Sequence, residues 1–295
     1  MTSKAVAYLG RVVTDITIQN QDVRLAASVY GQLEKPAVLL LHGISMSRDA
    51  WFEVAQKLSD QYLVYALDFR GHGHSDHTKR YVLSDYISDA RAALAAIGKP
   101  AIVVGHSLGG CVAGVLAQDG DSNIRALCMV DPPWYLGQPG EWQKSVFRQL
   151  FAFISGQQRK WQNERAPLSS YLQFVSATPS PMGGITSDHV NFRQLLCHAS
   201  SLQRQDPRCW DNVIETCSLF SVIDTTRPFK CPMMIIQADL ACGANLLEGH
   251  DQRLSETNPQ AEIIRYERCG HTPQRTKGFE QRFLQDLERF LLRHA

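Results

Sequence analysis

A serine hydroxyl acts as a nucleophile only where the chain presents it free of local backbone contacts and beside a base. One stretch of this sequence has the pattern for such presentation. Val103-Val104-Gly105-His106-Ser107-Leu108-Gly109-Gly110 runs a β-branched strand pattern into G-x-S-x-G, and Cys111, Val112, Val115 and Leu116 continue it as a helix. The reading is a strand, a sharp turn bearing Ser107, and a helix. The turn forces Ser107 into a strained backbone conformation, and side chains at positions 105 and 109 would collide as strand and helix close up. The Leu108 amide then lies at a helix N-terminus, where unpaired N–H groups and the positive dipole end can meet an oxyanion.

Such a turn needs a sheet behind it. Arg11 to Tyr30 reads as an antiparallel edge hairpin turning at Asn20-Gln21-Asp22. Ala37 to Leu41 is a continuous apolar run, expected of a strand buried on both faces, and it ends in His42-Gly43. A helix over Ala50 to Leu58 and a strand over Tyr62 to Leu67 follow, the latter ending in Asp68-Phe69-Arg70-Gly71-His72-Gly73-His74-Ser75. An amphipathic helix starts near Ser84 with Ile87, Ala90, Leu94 and Ile97 on one face, and Gly98 stops it. Strands over Ala101 to Val104 and Ile124 to Val130 come next, the second ending at Asp131-Pro132-Pro133. This alternation predicts a mostly parallel sheet with helices on both faces and chemistry at the carboxyl ends of its strands.

Between Trp134 and Phe229 the alternation stops. The patterns there are helical (Glu141 to Ser155, Asp188 to Ala199, Trp210 to Leu219) and separated by Gly- and Pro-rich breakers. The domain reading is a core in two parts, 1–133 and 230–295, with a helical cap, 134–229, between the sixth and seventh strands. Trp134, Trp142 and Trp161 are candidate substrate contacts from that cap, set against the plainer reading of a small core of its own. The sheet resumes at Pro232 to Gln237 and Glu262 to Tyr266. The loop Arg268-Cys269-Gly270-His271 and a last helix bearing Phe279, Phe283, Leu287 and Phe290 close the chain.

Composition narrows the partners. A chain of 295 residues with 44% hydrophobic and 20% charged residues can bury a large core, and a net charge of +1 without a basic stripe points away from nucleic acid and anionic membranes. The expected partner is a small-molecule substrate. Eight cysteines without a C-x-x-C pair read as reduced thiols. Residues 1–10 lack the apolar run of a secretory signal and no segment approaches 18 consecutive apolar residues, so a cytoplasmic location is expected.

His42-Gly43, Asp68-x-Arg70-Gly71-His72-Gly73-x-Ser75, Gly105-His106-Ser107-Leu108-Gly109-Gly110 and Gly270-His271 recur in an order that resembles the α/β-hydrolase fold superfamily over nearly everything outside the insert. The resemblance implies a serine nucleophile, a histidine base and an acid, in the chain order Ser, Asp or Glu, His. Serine needs an adjacent base whose tautomer a carboxylate holds. His271, in a loop directly after a strand end, is the histidine positioned for that. The second oxyanion amide is expected from Ile44, beside Leu108, with His42 structural. Many members carry the acid after the seventh strand, three residues beyond a glycine. Here that loop reads Gln237-Ala238-Asp239-Leu240-Ala241-Cys242-Gly243, with alanine at both positions. A minority resembling zearalenone-type lactonases place it after the sixth strand, which favours Asp131 and leaves Asp239 as the alternative.

The expected activity is hydrolysis of an ester or lactone of a small, largely apolar molecule through an acyl-enzyme, with no cofactor. Serine at 107 disfavours the aspartate-nucleophile branches of the superfamily. Carbon–carbon bond hydrolysis and cofactor-free dioxygenation are the alternatives on the same fold, followed by a ligand receptor. His72-Gly73-His74-Ser75-Asp76-His77 also fits H-x-H-x-D-H, a metal-binding string of metallo-β-lactamase-like hydrolases. The same residues complete the turn after Asp68, and no metal site is assigned to them.

Overall fold

A computed structural model describes residues 4–8 and 11–295, with side chains from residue 13 onward. The reading of residues 1–10 as free of a secretory signal therefore lies partly outside the described residues. Among the described residues nine strands form one sheet in the order β1-β2-β3-β5-β4-β6-β7-β8-β9. β1 (Lys4–Tyr8), β2 (Arg11–Asn20) and β3 (Val23–Tyr30) are antiparallel. β3 joins β5 (Leu63–Leu67) antiparallel, and from there β4 (Ala37–Leu41), β6 (Ala101–His106), β7 (Ile124–Val130), β8 (Met233–Gln237) and β9 (Glu262–Arg265) run parallel. Lys4–Tyr8 was not anticipated. It moves the sheet edge outside the predicted hairpin, and the insert accordingly lies between β7 and β8.

The apolar run of β4 is continuous because alternate residues enter different cores. Leu39 and Leu41 pack with α2 (Leu83–Ile97) and α3 (Leu108–Asp119), whereas Val38 and Leu40 pack with α1 (Phe52–Leu58) and α9 (Glu280–His294). Each such side chain contributes on the order of 1.5–3 kcal/mol by leaving water. Gly98 ends α2 in the left-handed region, φ 71°, which explains the stop read from the sequence.

The insert departs more from expectation. Its helices are α4 (Phe147–Glu164), α5 (Leu168–Ala177), α6 (Thr186–His189) and α7 (Phe192–Arg204). The helix expected over Asp188 to Ala199 is broken where Val190 makes a β-bridge to Thr276, and α7 restarts with the Asn191 side chain accepting the Gln194 N–H. Trp210 to Leu219 is not a helix. Cys217 turns left-handed there, φ 55°, between two short 3₁₀ turns. α5 and α8 (His250–Thr257) were not read from the sequence. Tyr171, Leu195 and Trp210 of the insert join the apolar cluster that holds α2 and α3, so the insert packs as a continuation of that core. All eight cysteines are free thiols. No helix among the described residues is long and apolar enough to cross a membrane.

Candidate functional site

Ser107 stands at φ 53° and ψ −115° between β6 and α3. A side chain at 105 would enter the Gly109 carbonyl, and one at 109 would enter the Leu41 carbonyl of neighbouring β4, so the turn closes only with glycine at both. The turn is pinned by the Ser107 N–H donating to Val130 O at 3.0 Å and the Cys111 N–H donating to Ser107 O at 3.1 Å.

His271, in the loop after β9, puts its Nδ1 2.6 Å from Asp131 Oδ2. Asp131 is fully buried and left-handed, φ 44°, at the turn after β7. Its carboxylate sits among three backbone donors of the loop after β8: Oδ1 accepts from Ala238 at 3.3 Å and Leu246 at 3.2 Å, and Oδ2 from Asn245 at 2.8 Å. Four hydrogen atoms are thus directed at its two oxygens, donors that the two carboxylate oxygens accept together. Asp239 does not reach the imidazole. It caps the short turn Leu240–Cys242, accepting from the Ala241 N–H at 2.9 Å and the Arg268 N–H at 2.6 Å.

The other site histidines are held neutral. Burial, and next the charge of its neighbour His72, push His42 well below the ordinary histidine range. Its Nε2 accepts from the Phe69 N–H at 3.1 Å, which leaves the proton on Nδ1 to donate to Gly43 O at 2.8 Å. The same carbonyl accepts the Met46 N–H at 3.0 Å. His42 thus orients the peptide whose other end is the Ile44 N–H. Neither that N–H nor the Leu108 N–H has a protein acceptor among the described residues. His106, lowered likewise by burial first and then by His271, donates from Nε2 to His271 O at 3.0 Å and ties the turn to the histidine loop.

Ser107, His271 and Ile44 line one cavity of about 160 Å³. Its insert wall comes from Phe147, Leu150, Phe151 and Ile154 of α4 and Phe174 and Val175 of α5. The three tryptophans expected to contact substrate do not line it. Trp134 packs on Phe229 and above Gly114, Trp142 donates its indole N–H to Ile214 O, and Trp161 lies between Tyr171 and Phe174 beside an outer groove. Their bulk fills the core of the insert, which is the plainer reading of the two. The His72–His77 string is also dispersed. His72 is buried against Arg70 O and Gln205, His74 meets Arg204, Asp76 pairs with Arg24, and His77 meets Arg204 O. Among the described residues no three His, Cys, Asp or Glu side chains converge as a metal would require.

The model of a family described as the alpha/beta hydrolase family matches residues 38–280. The chain belongs to the alpha/beta hydrolase family. It is 32% identical over 279 residues to human monoacylglycerol lipase ABHD6, covering 86% of this chain and 76% of that protein. It is 29% identical over 147 residues to mouse epoxide hydrolase 4, which covers 46% of this chain and only 41% of that one. With human serine hydrolase-like protein, 31% identical, 40% of this chain matches 60% of that one, so these alignments span about half the length of such relatives. In fold the chain is similar to the enol-lactonase of Burkholderia xenovorans LB400, with a TM-score of 0.68 at 15% identity over 94% of this chain and 99% of that one. A hydrolase from Pseudomonas aeruginosa PA01 gives 0.68 at 18% identity over 94% and 98%.

Against this alpha/beta hydrolase frame, sequence reading missed Asn245. Its backbone N–H serves Asp131, and its buried amide Nδ2 lies 3.0 Å from His271 Nε2 and 3.3 Å from Nδ1, against the ring rather than along one lone pair. No local pattern marks it, because its partners are 114 and 26 residues away.

Proposed function

We propose that this alpha/beta hydrolase is a serine hydrolase that cleaves an ester or lactone of a small, largely apolar substrate through an acyl-enzyme. The observation that carries the reading is the 2.6 Å contact of His271 Nδ1 with buried Asp131, in a loop whose histidine shares one cavity with left-handed Ser107. With Nδ1–H committed to Asp131, the lone pair of His271 is on Nε2, the nitrogen able to take the Ser107 proton. Ser107 Oγ attacks the carbonyl, His271 accepts its proton, and the Leu108 and Ile44 N–H groups receive the oxyanion. Collapse expels the alkoxide, which takes the proton from His271. Water then gives its proton to His271 as its oxygen attacks the acyl carbonyl, and Ser107 leaves re-protonated with release of the acid. Residues 134–229 act as the lid over this cavity, their side chains supplying most of its apolar wall.

Ester and lactone chemistry is the kind named for human monoacylglycerol lipase and the Burkholderia enol-lactonase. Epoxide hydrolases are also among the relatives, but the chain carries a hydroxyl, not a carboxylate, at the turn between β6 and α3. The test is labelling by a serine-directed fluorophosphonate together with turnover of 4-nitrophenyl butyrate. Labelling confined to Ser107 and loss of both signals in Ser107→Ala are expected. Turnover that survives Ser107→Ala to within tenfold would overturn the reading.

A further inference from the structure

Four residues beyond His271, Arg275 closes the single turn Pro273–Arg275 and lines the same cavity. It is 3% exposed. Its side-chain hydrogen bond runs from Nη1 to the Met46 thioether, Sδ, at 2.9 Å, and its buried Nε has no partner. A thioether is a weak acceptor and carries no charge to offset the guanidinium. Cys197 and Glu53 act on it only through space, and the Glu53 carboxylate already accepts from the Gln194 amide. Burial lowers the Arg275 pKa to about 10, which still leaves it a cation at neutral pH.

Beside it on the cavity wall, His198 of α7 has both ring nitrogens buried without a partner. Burial, and then the charge of Arg275, push its pKa down to about 3, so the ring is neutral and offers one N–H donor. A folded chain tolerates an unpaired buried cation where a ligand completes it, since the charge otherwise lies in an apolar medium uncompensated. Bound water can meet the N–H groups but brings no net charge to balance the cation.

Resting on the hydrolase reading above, we propose that the substrate carries a free carboxylate, held by Arg275 with His198 as second donor, at the end of an apolar segment leading to the scissile carbonyl at Ser107. The guanidinium fork matches the two oxygens of a carboxylate. One cation in an apolar wall balances one negative charge, which selects a carboxylate over a phosphate dianion. Phe147, Phe151, Ile154 and Leu202 on the cavity wall offer the apolar lining that such a segment needs.

The test compares mono-4-nitrophenyl esters of glutaric, adipic, pimelic and suberic acids with 4-nitrophenyl esters of the monocarboxylic acids of equal length. In the wild-type protein at least one acidic ester is expected to exceed its neutral match in kcat/KM by tenfold or more. Arg275→Met should cut that ratio at least tenfold and Arg275→Lys should keep part of it, with circular dichroism confirming that both fold. If Arg275→Met does not fold, the wild-type ratio decides by itself. Preference for the neutral ester at every length, with Ser107-dependent turnover, overturns the carboxylate site and leaves the hydrolase reading standing. If neither series is turned over, the hydrolase reading fails instead. Calorimetry with adipate then decides the site: binding to wild type but not to Arg275→Met supports it, and no binding to either overturns it.

Discussion

Replacing Asp131 by asparagine is the sharpest perturbation of the site, because each of its two oxygens serves two donors. Oδ1 accepts the Ala238 and Leu246 N–H groups, and Oδ2 accepts the Asn245 N–H and the His271 Nδ1–H. The asparagine oxygen can satisfy only one side. With oxygen at the Oδ1 position, an NH₂ group faces two donors, and the imidazole moves its proton to Nε2 so that Nδ1 can accept. Nε2, the nitrogen proposed to take the Ser107 proton, is then already protonated and cannot act as base. A hydrogen bond to a charged group is worth about 1.5–3 kcal/mol, and the wrong tautomer in a triad costs about 10⁴-fold in kcat, roughly 5 kcal/mol. The buried Asn245 N–H, left unpaired, costs about 1–3 kcal/mol of stability. Initial rates on 4-nitrophenyl butyrate at 20 °C, with folding checked by circular dichroism, should show a loss between 10³- and 10⁴-fold for Asp131→Asn. Asp239→Asn, which alters a turn cap away from the imidazole, should stay within about twofold. A tenth of wild-type kcat surviving in Asp131→Asn, or a thousandfold loss in Asp239→Asn, would refute the assignment of the acid.

Gly109→Ala drives a methyl into the Leu41 carbonyl, an overpacking against backbone that costs about 3 kcal/mol or more. A melting temperature lower by about 6–12 °C is expected, and a shift under 2 °C by differential scanning fluorimetry would show that the turn has room. Acid should destabilise the fold through its buried histidines. Burial lowers His72 to about 4 against about 6.5 unfolded, so between these values the unfolded chain binds the proton first. The stabilisation is complete above pH 6.5 and is lost as pH falls towards 4, by about 3 kcal/mol for this group alone. His42, His106 and His198 add in the same direction. Urea unfolding at pH 7.0, 5.5 and 4.5 should show the decline, and a His72→Gln variant should show a shallower one. An unchanged slope would mean that another group carries the acid sensitivity.

The turn around Ser107 was legible because glycine at 105 and 109 answers a steric demand confined to a few residues, and the strands because burial on both faces leaves an unbroken apolar run. The placement of His271 could be read from a strand end followed by Gly270-His271. Elsewhere short-range pattern carried too little. α8 is a polar octapeptide anchored by Leu254 with only its first two residues otherwise buried, and the helical pattern over Trp210 to Leu219 is broken by left-handed Cys217. The tryptophans announce bulk but not which side of a wall it lies on. Asn245 and Arg275 owe their positions to contacts between distant segments. For Arg275, what marks the residue is the absence of a carboxylate hydrogen-bonded to it, which no stretch of sequence displays.

The Asp131–His271 contact joins residues 140 positions apart, and everything else in the constellation, Ile44, Ser107, Leu108 and Asp131, is encoded before the insert begins. During synthesis the elbow residues therefore leave the ribosome before His271 has been added to the chain. The carboxylate meanwhile lacks the three amides of the loop after β8. In the proposed mechanism a chain that stalls or is cut before that loop emerges therefore carries a serine with no base beside it, and chemical competence arrives with the last segment, after the insert that walls the cavity has already been made.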